Sequence, residues 1–223
     1  KKKQKKKKLI KDTTPHYTLA EELINSISHG IGAGLAIAAL VLMIVKSSTV
    51  AQVLCSITFG ITMIFLYTIS CIYHALSSKL KGKRVLRVID HCNVFLLVWG
   101  TYVPVAILGV KGIWGYALLA FVTTITIIGI ILSCINLDKH QVSEVVCHLL
   151  NGWSITVAFK ILLTNIGSMG VAFLLAGGIL YSVGAILYGI GAKKKYMHCV
   201  FTSSALPHPF ATFYASIYNS LSL

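Results

Sequence analysis

The sequence predicts an all-α, polytopic membrane protein: a bundle of seven transmembrane helices. Its composition is the first reason, because 56% of the 223 residues are hydrophobic and only 12% are charged, whereas a soluble domain carries about 25% charged residues. The second reason is that the apolar residues form long runs with the basic residues clustered between them. Together these features exclude an ordinary soluble domain, a disordered tail and a disulfide scaffold.

Seven apolar runs are long enough to cross a bilayer, which takes about 20 mostly apolar residues in a helix. Several runs are rich in Ile, Val and Thr, but helix is favoured over strand because lipid offers no hydrogen-bond partner to an open strand edge. We divide the chain into a basic segment, residues 1–23, and a single transmembrane helical domain, residues 24–223. The predicted spans are residues 24–45, 51–74, 88–109, 113–134, 145–163, 169–190 and 198–221.

The positions of the basic residues predict the orientation. If the N-terminus is cytoplasmic, the segments on the inner side hold 17 of the 20 Lys and Arg residues. Because cytoplasmic loops are enriched in Lys and Arg, we expect an inner N-terminus in the cell membrane. We therefore interpret the formal charge of +14 as a sign of how the chain is oriented in the membrane and of contact with anionic lipid headgroups. Nucleic-acid binding is not expected.

The few ionisable side chains within the spans gather near their cytoplasmic ends. Ser70 and His74 lie four residues apart on the second span and share a helix face, while Asp90 and His198 begin the third and seventh spans. Neutral imidazole is a common metal ligand, and a carboxylate can orient a ligating histidine or a water on the metal. His74, Asp90 and His198 therefore look like part of a zinc site. The alternative is a hydrogen-bond network that joins the helices.

Further polar residues enter the first and fifth spans from the same side. Glu144 and His148 are four residues apart, a spacing that allows them to bond to each other on a helix, and we interpret them as structural. His91 neighbours Asp90 in sequence, but a helix turns the two side chains about 100° apart, so they need not share a site. The residues that enter the first span are Glu21, Glu22, Asn25 and His29.

Several short segments, taken as a set, resemble the haemolysin III family, which belongs to a seven-helix group with the progestin and adiponectin receptors. The resemblance covers roughly residues 20–201. Its segments are Glu21-Glu22-Leu23-Ile24-Asn25 with His29-Gly30, the SxxxH motif Ser70-Cys71-Ile72-Tyr73-His74, Arg87-Val88-Ile89-Asp90-His91, and Gly100-Thr101-Tyr102-Val103-Pro104.

The resemblance implies seven helices, pore-forming and cytolytic activity, and a zinc ion near the cytoplasmic side. In the family one zinc ligand comes from the position of His74 and two come from an HxxxH motif on the seventh span, with Ser70 and Asp90 in outer-shell or water-orienting roles. Here His198 matches the first position of that motif, but Thr202 stands at the second and Thr212 at a further histidine position. We therefore expect weakened zinc binding.

A one-base deletion near codon 202 is our interpretation of this departure. Residues 202–217 can be back-translated and shifted by one base to give an apolar helix with histidines at both 202 and 212. In the chain as it stands, Pro207 and Pro209 interrupt a helix, because each removes a donor and clashes with the preceding turn. Sequencing the gene tests the idea, which fails if no one-base insertion restores the seventh span.

Three functions stay open at this point. The first is a haemolysin III-like, cytolytic membrane protein. The second is a zinc-dependent hydrolase of a lipid amide or ester, by analogy with related seven-helix ceramidases, in which Asp90 orients water and Ser70 lies nearby. The third is a receptor-like regulator of membrane state, in which the metal is a structural clip.

Overall fold

The structure is a computed structural model that describes residues 17–77 and 80–191, and every regular element in those ranges is helical. The all-α prediction is therefore confirmed for this part of the chain. The predicted seventh span, His198 and Thr202 lie outside the described residues. The elements are α1 (Leu19–Lys46), α2 (Val50–Ala75), α3 (Lys81–Pro104), a π-helical segment (Val105–Val110), α4 (Gly112–Trp153), a 3₁₀ segment (Ser154–Ala158) and α5 (Phe159–Gly191).

Four helical stretches of the described chain are long and apolar enough to cross a membrane. The first three contain the spans predicted at 24–45, 51–74 and 88–109. The fourth stretch contains the spans predicted at 113–134 and 145–163 and most of the span predicted at 169–190. The bounds of the four stretches are Leu19–Lys46, Val50–Ala75, Gly82–Val110 and Gly112–Gly184.

Two residues interrupt the fourth stretch. Asn136 has an extended backbone (φ −165°, ψ 93°), and its Oδ1 accepts a hydrogen bond from the Lys139 amide at 3.1 Å, as the capping residue of a new helix does. Gly167 has φ 72°, a conformation that favours glycine. The sequence predicted a connection over residues 135–144, whereas most of it is helical. A single capping asparagine is enough to end one helix and begin the next.

Helix α1 shows how the bundle distributes polarity. Its buried face carries Asn25, His29 and Ala36, while Ile27 and Ile31 are more than half exposed. Polar side chains inside and large apolar side chains outside are the reverse of a soluble helix. They suit a helix that presents its outer face to lipid and keeps its polar side chains within the protein.

Consecutive helices pack against each other and enclose two apolar clusters. The first joins α1, α2 and α3 around Phe59 and Met63, and the second joins α3, the π-helical segment, α4 and α5 around Val122 and Leu162. Pro104 lies at the start of the π-helical segment, where its missing N–H removes a helical hydrogen bond.

The backbone of Gly115 lies against the backbone of Ala106, and we expect replacement of Gly115 by alanine to lower the free energy of unfolding. A Cβ at Gly115 would lie 2.2 Å from the backbone oxygen of Ala106, whereas one at Gly34 would meet nothing within 4 Å. Overpacking of this kind costs about 1–3 kcal/mol. Gly34→Ala is the matched control and should be neutral or slightly stabilising. Unfolding in detergent measures both, and equal stability of the two variants would contradict the prediction.

Candidate functional site

A buried group of charged side chains joins α1, α2 and the start of α3. The Nδ1 atom of His74 lies 2.7 Å from the Oε2 atom of Glu22, and the Lys83 ammonium donates a hydrogen bond to the other carboxylate oxygen of Glu22. Lys83 also donates to the backbone oxygen of Leu76 at 2.7 Å, and its Nζ lies 5.2 Å from the centre of the Tyr73 ring. Glu22 therefore links α1 to both neighbouring helices.

The local sequence explains why two adjacent glutamates have different partners. Thr18 and Glu21 form a capping box at the start of α1, in which the Glu21 carboxylate accepts hydrogen bonds from the Thr18 amide and hydroxyl, both at 2.8 Å. Glu22 lies one residue further along the turn, about 100° around the helix, and pairs with His74 and Lys83. Glu21 thus begins the helix, and Glu22 belongs to the site.

The structure brings three of the four predicted site residues together. Ser70 and His74 are both buried on one face of α2, and Asp90 is buried on α3. The Asp90 carboxyl lies within hydrogen-bonding reach of the Ser70 side chain and near His74. His91 points elsewhere, toward Glu144, with 3.5 Å between its Nδ1 and the carboxylate. The fourth predicted residue, His198, lies outside the described chain.

The chemistry of His74 fits a zinc ligand. A neutral imidazole that donates its Nδ1–H to a carboxylate has its lone pair on Nε2, the arrangement seen in carboxylate–histidine–zinc sites. The carboxylate here is Glu22, which Lys83 in turn holds in place. Within residues 17–77 and 80–191, however, no group of three His, Cys, Asp or Glu side chains is arranged to hold a metal. Further ligands would have to come from other residues.

A second group of buried polar residues lies between α3, α4 and α5. Glu144 accepts a hydrogen bond from Ser133, and His148 bonds through Nδ1 to the Tyr181 hydroxyl at 2.6 Å. The His148 ring also stacks on Phe95, with 3.8 Å between ring centres. Glu144 and His148 do not bond to each other, because Glu144 bonds to Ser133 and His148 bonds to Tyr181. The bond between His148 and Tyr181 joins α4 to α5.

Sequence reasoning missed Glu22 and Lys83 as parts of the site. Lys83 lies within a run of basic residues, which suggests a topogenic loop. Burial to 5% exposure is what distinguishes it from its exposed neighbour Arg84. One usable signal was present, because a Glu at the start of an apolar helix is stabilised by a nearby cation. The basic residues of the second connection are the cations predicted on the same side of the membrane.

Comparison with known proteins gives two kinds of match. The family model described as "Haemolysin-III related" matches residues 17–214. "Hemolysin-3" of Bacillus cereus is 37% identical over 183 residues, which cover 81% of this chain and 83% of that protein. "Hemolysin-3 homolog" of Bacillus subtilis (strain 168) is 34% identical over 205 residues, which cover 91% and 95%. No solved structure matches the chain.

Proposed function

This chain belongs to the haemolysin III-related family, and on that premise we propose that it is a haemolysin-type protein of the cell membrane that makes bilayers permeable. The similarity to two hemolysin-3 proteins over most of the chain carries the proposal. The fold agrees with a multi-pass membrane protein, because the described helices are long and apolar, with many large apolar side chains on the outside.

Dye release from liposomes tests this activity. Purified protein in vesicles that contain a quenched dye should release the dye in proportion to the protein added. Vesicles that stay intact at high protein-to-lipid ratios would count against the proposal. The Asp90→Asn variant belongs in the same experiment, because a pore should tolerate the loss of this buried carboxylate, whereas lysis caused by lipid hydrolysis should stop.

The proposed topology has seven spans, with the N-terminus and the basic connections in the cytoplasm against anionic headgroups. Its support is the 73-residue stretch Gly112–Gly184, which as one straight helix would measure about 110 Å, against about 30 Å for the bilayer core. Breaks at Asn136 and Gly167 allow three crossings. Labelling of introduced cysteines tests this, with Lys111→Cys expected to react from outside and Lys139→Cys only from inside.

The proposed cofactor is zinc, held by His74 and His198 near the cytoplasmic face. Glu22 orients His74, and Ser70 and Asp90 lie beside it to bind and orient a polar group. A bound zinc ion acts as a Lewis acid in hydrolytic sites and as a link between helices in structural ones. Thr202 replaces the family's third ligand, so we expect weaker binding than in a relative with all three histidines.

A second candidate function is hydrolysis of a lipid amide or ester. It is favoured by one observation: Ser70, His74 and Asp90 are buried close to one another at one end of the bundle. In this function Asp90 would take up and return a proton, while Ser70 holds the carboxyl in place. Fatty-acid release from a lipid amide or ester should occur with the unmodified protein and disappear in His74→Ala and Asp90→Asn.

The control for the hydrolase experiment is Asp138→Asn. Asp138 is a carboxylate on the same side of the bundle, with a 40% exposed side chain that pairs with Arg87 at 3.0 Å. It is not part of the site, so its loss should leave any hydrolysis unchanged. Absence of fatty-acid release from the unmodified protein would refute this function.

A further inference from the structure

Two cysteines meet where the third and fourth helices pack together. The Sγ atom of Cys92 on α3 lies 3.8 Å from the Sγ atom of Cys134 on α4, although the two residues are 42 positions apart in the chain. Both are free thiols. Cys134 comes two residues before Asn136, so the contact lies beside the break that this asparagine makes in the fourth helical stretch.

Exposure distinguishes this pair from the other cysteines that the structure describes. Cys55 and Cys147 are buried, as cysteines that serve as small apolar side chains usually are, and Cys71 contacts a serine hydroxyl on α1. Cys134 is exposed and Cys92 is partly exposed. A reagent from outside the bundle can therefore reach the sulfur of Cys134, which already touches a second thiol.

The distance between the two sulfur atoms suits a bond between them. The sulfur atoms of a disulfide are about 2.05 Å apart, so those of Cys92 and Cys134 need to approach by about 2 Å from their present contact. Rotation of a cysteine side chain about its Cα–Cβ bond supplies a movement of this size. The exposed side chain of Cys134 has room to turn, because fewer neighbours pack around it.

We propose that Cys92 and Cys134 are a redox-sensitive thiol pair that a hydroperoxide converts reversibly into a disulfide. The thiolate of the exposed Cys134 attacks the hydroperoxide, the O–O bond breaks, and the departing oxygen takes up the proton that Cys134 lost. Cys134 is then a sulfenic acid. The sulfur of Cys92 attacks that sulfur, the S–O bond breaks, and the departing hydroxide leaves as water with the proton of Cys92.

The overall reaction balances and has a structural consequence. Two thiols are oxidised to one disulfide, and the hydroperoxide is reduced to an alcohol, or to water in the case of hydrogen peroxide, together with one further water. The new bond ties α3 to α4 beside Asn136 and so restrains movement at the break. The pair lies at the end of the bundle that we propose to be cytoplasmic, where cellular reductants keep thiols reduced until an oxidant appears.

Mass spectrometry of the purified full chain tests the proposal. Reduced protein is placed in vesicles, hydrogen peroxide is added to the water or a phospholipid hydroperoxide to the bilayer, and the thiols that are left are alkylated. Trypsin cleaves at Lys111, so Cys92 and Cys134 fall in separate peptides, residues 88–111 and 112–139. These peptides should become joined, with loss of two hydrogen atoms, at least tenfold faster than any other cysteine pair, and dithiothreitol should separate them. The faster of the two treatments identifies the source of the oxidant.

Variants make the test specific to this pair. Cys92→Ser and Cys134→Ser should each abolish the joined peptides. The matched control is Cys71→Ser, which removes a partly exposed thiol that lies 3.6 Å from the Ser26 hydroxyl, and it should leave the rate of joining unchanged.

Three results would overturn the proposal. They are full alkylation of Cys92 and Cys134 after either treatment, oxidation of Cys134 to a sulfinic acid without joining to Cys92, and a disulfide that forms only between two chains, seen as a doubled mass on a non-reducing gel. None of these readouts depends on pore formation, hydrolysis or zinc, so the thiol pair stands or falls separately from the proposed function.

Discussion

Replacing Lys83 with methionine is expected to lower the free energy of unfolding by about 3–5 kcal/mol, the usual cost of removing one partner from a buried ion pair. The Lys83 ammonium bonds to Glu22 and to the Leu76 backbone oxygen and lies over the Tyr73 ring. Without it, the partly buried Glu22 carboxylate stays beside His74 with too little positive charge around it. The melting midpoint in detergent should fall by on the order of 10 °C.

Two further variants make this prediction specific to the ion pair. Arg84→Met removes a cation from the next position of the same helix, where the side chain is exposed, and should change the stability by less than about 0.5 kcal/mol. The double variant Glu22→Gln with Lys83→Met removes both charges and should recover much of the loss, because no uncompensated charge stays behind. If Lys83→Met melts like Arg84→Met, the pair makes no contribution.

The helical class of this fold follows from composition and run length alone. The bounds of α1 and α2 extend the spans predicted at 24–45 and 51–74 by only a few residues, because hydropathy changes sharply at their ends. The segment predicted at 135–144 to connect two spans is mostly helical, which hydropathy could not predict because it reports polar residues and not whether they are helical. Only the backbone shows that Asn136 alone interrupts the helix.

The candidate site could be predicted only in part. The spacing of Ser70 and His74 on one helix, together with the placement of Asp90 at the same depth of the membrane, predicted which residues lie together. The partners of His74 were not predictable from spacing, because Glu21 and Glu22 enter α1 side by side. Which of the two reaches His74 depends on where the helix begins, and the capping box between Thr18 and Glu21 decides that.

The pairing of Glu22 with His74 leads to the second large effect, on metal affinity. His74→Ala removes a proposed ligand and should abolish the zinc binding that this chain keeps. Glu22→Gln keeps the shape of the side chain but removes the carboxylate that holds the Nδ1–H of His74, and loss of such a partner typically lowers metal affinity 10- to 100-fold. Dialysis against buffered zinc measures both changes.

The neighbouring glutamate provides the control for this measurement. Glu21→Gln changes a carboxylate that is also buried and belongs to the same turn, but whose bonds are to Thr18. It should lower helix stability slightly and leave zinc affinity unchanged. If Glu22→Gln binds zinc as tightly as the unmodified chain, Glu22 serves only to neutralise Lys83. A graded loss, small for Glu21, intermediate for Glu22 and complete for His74, would establish that the carboxylate acts on the metal through the imidazole it holds.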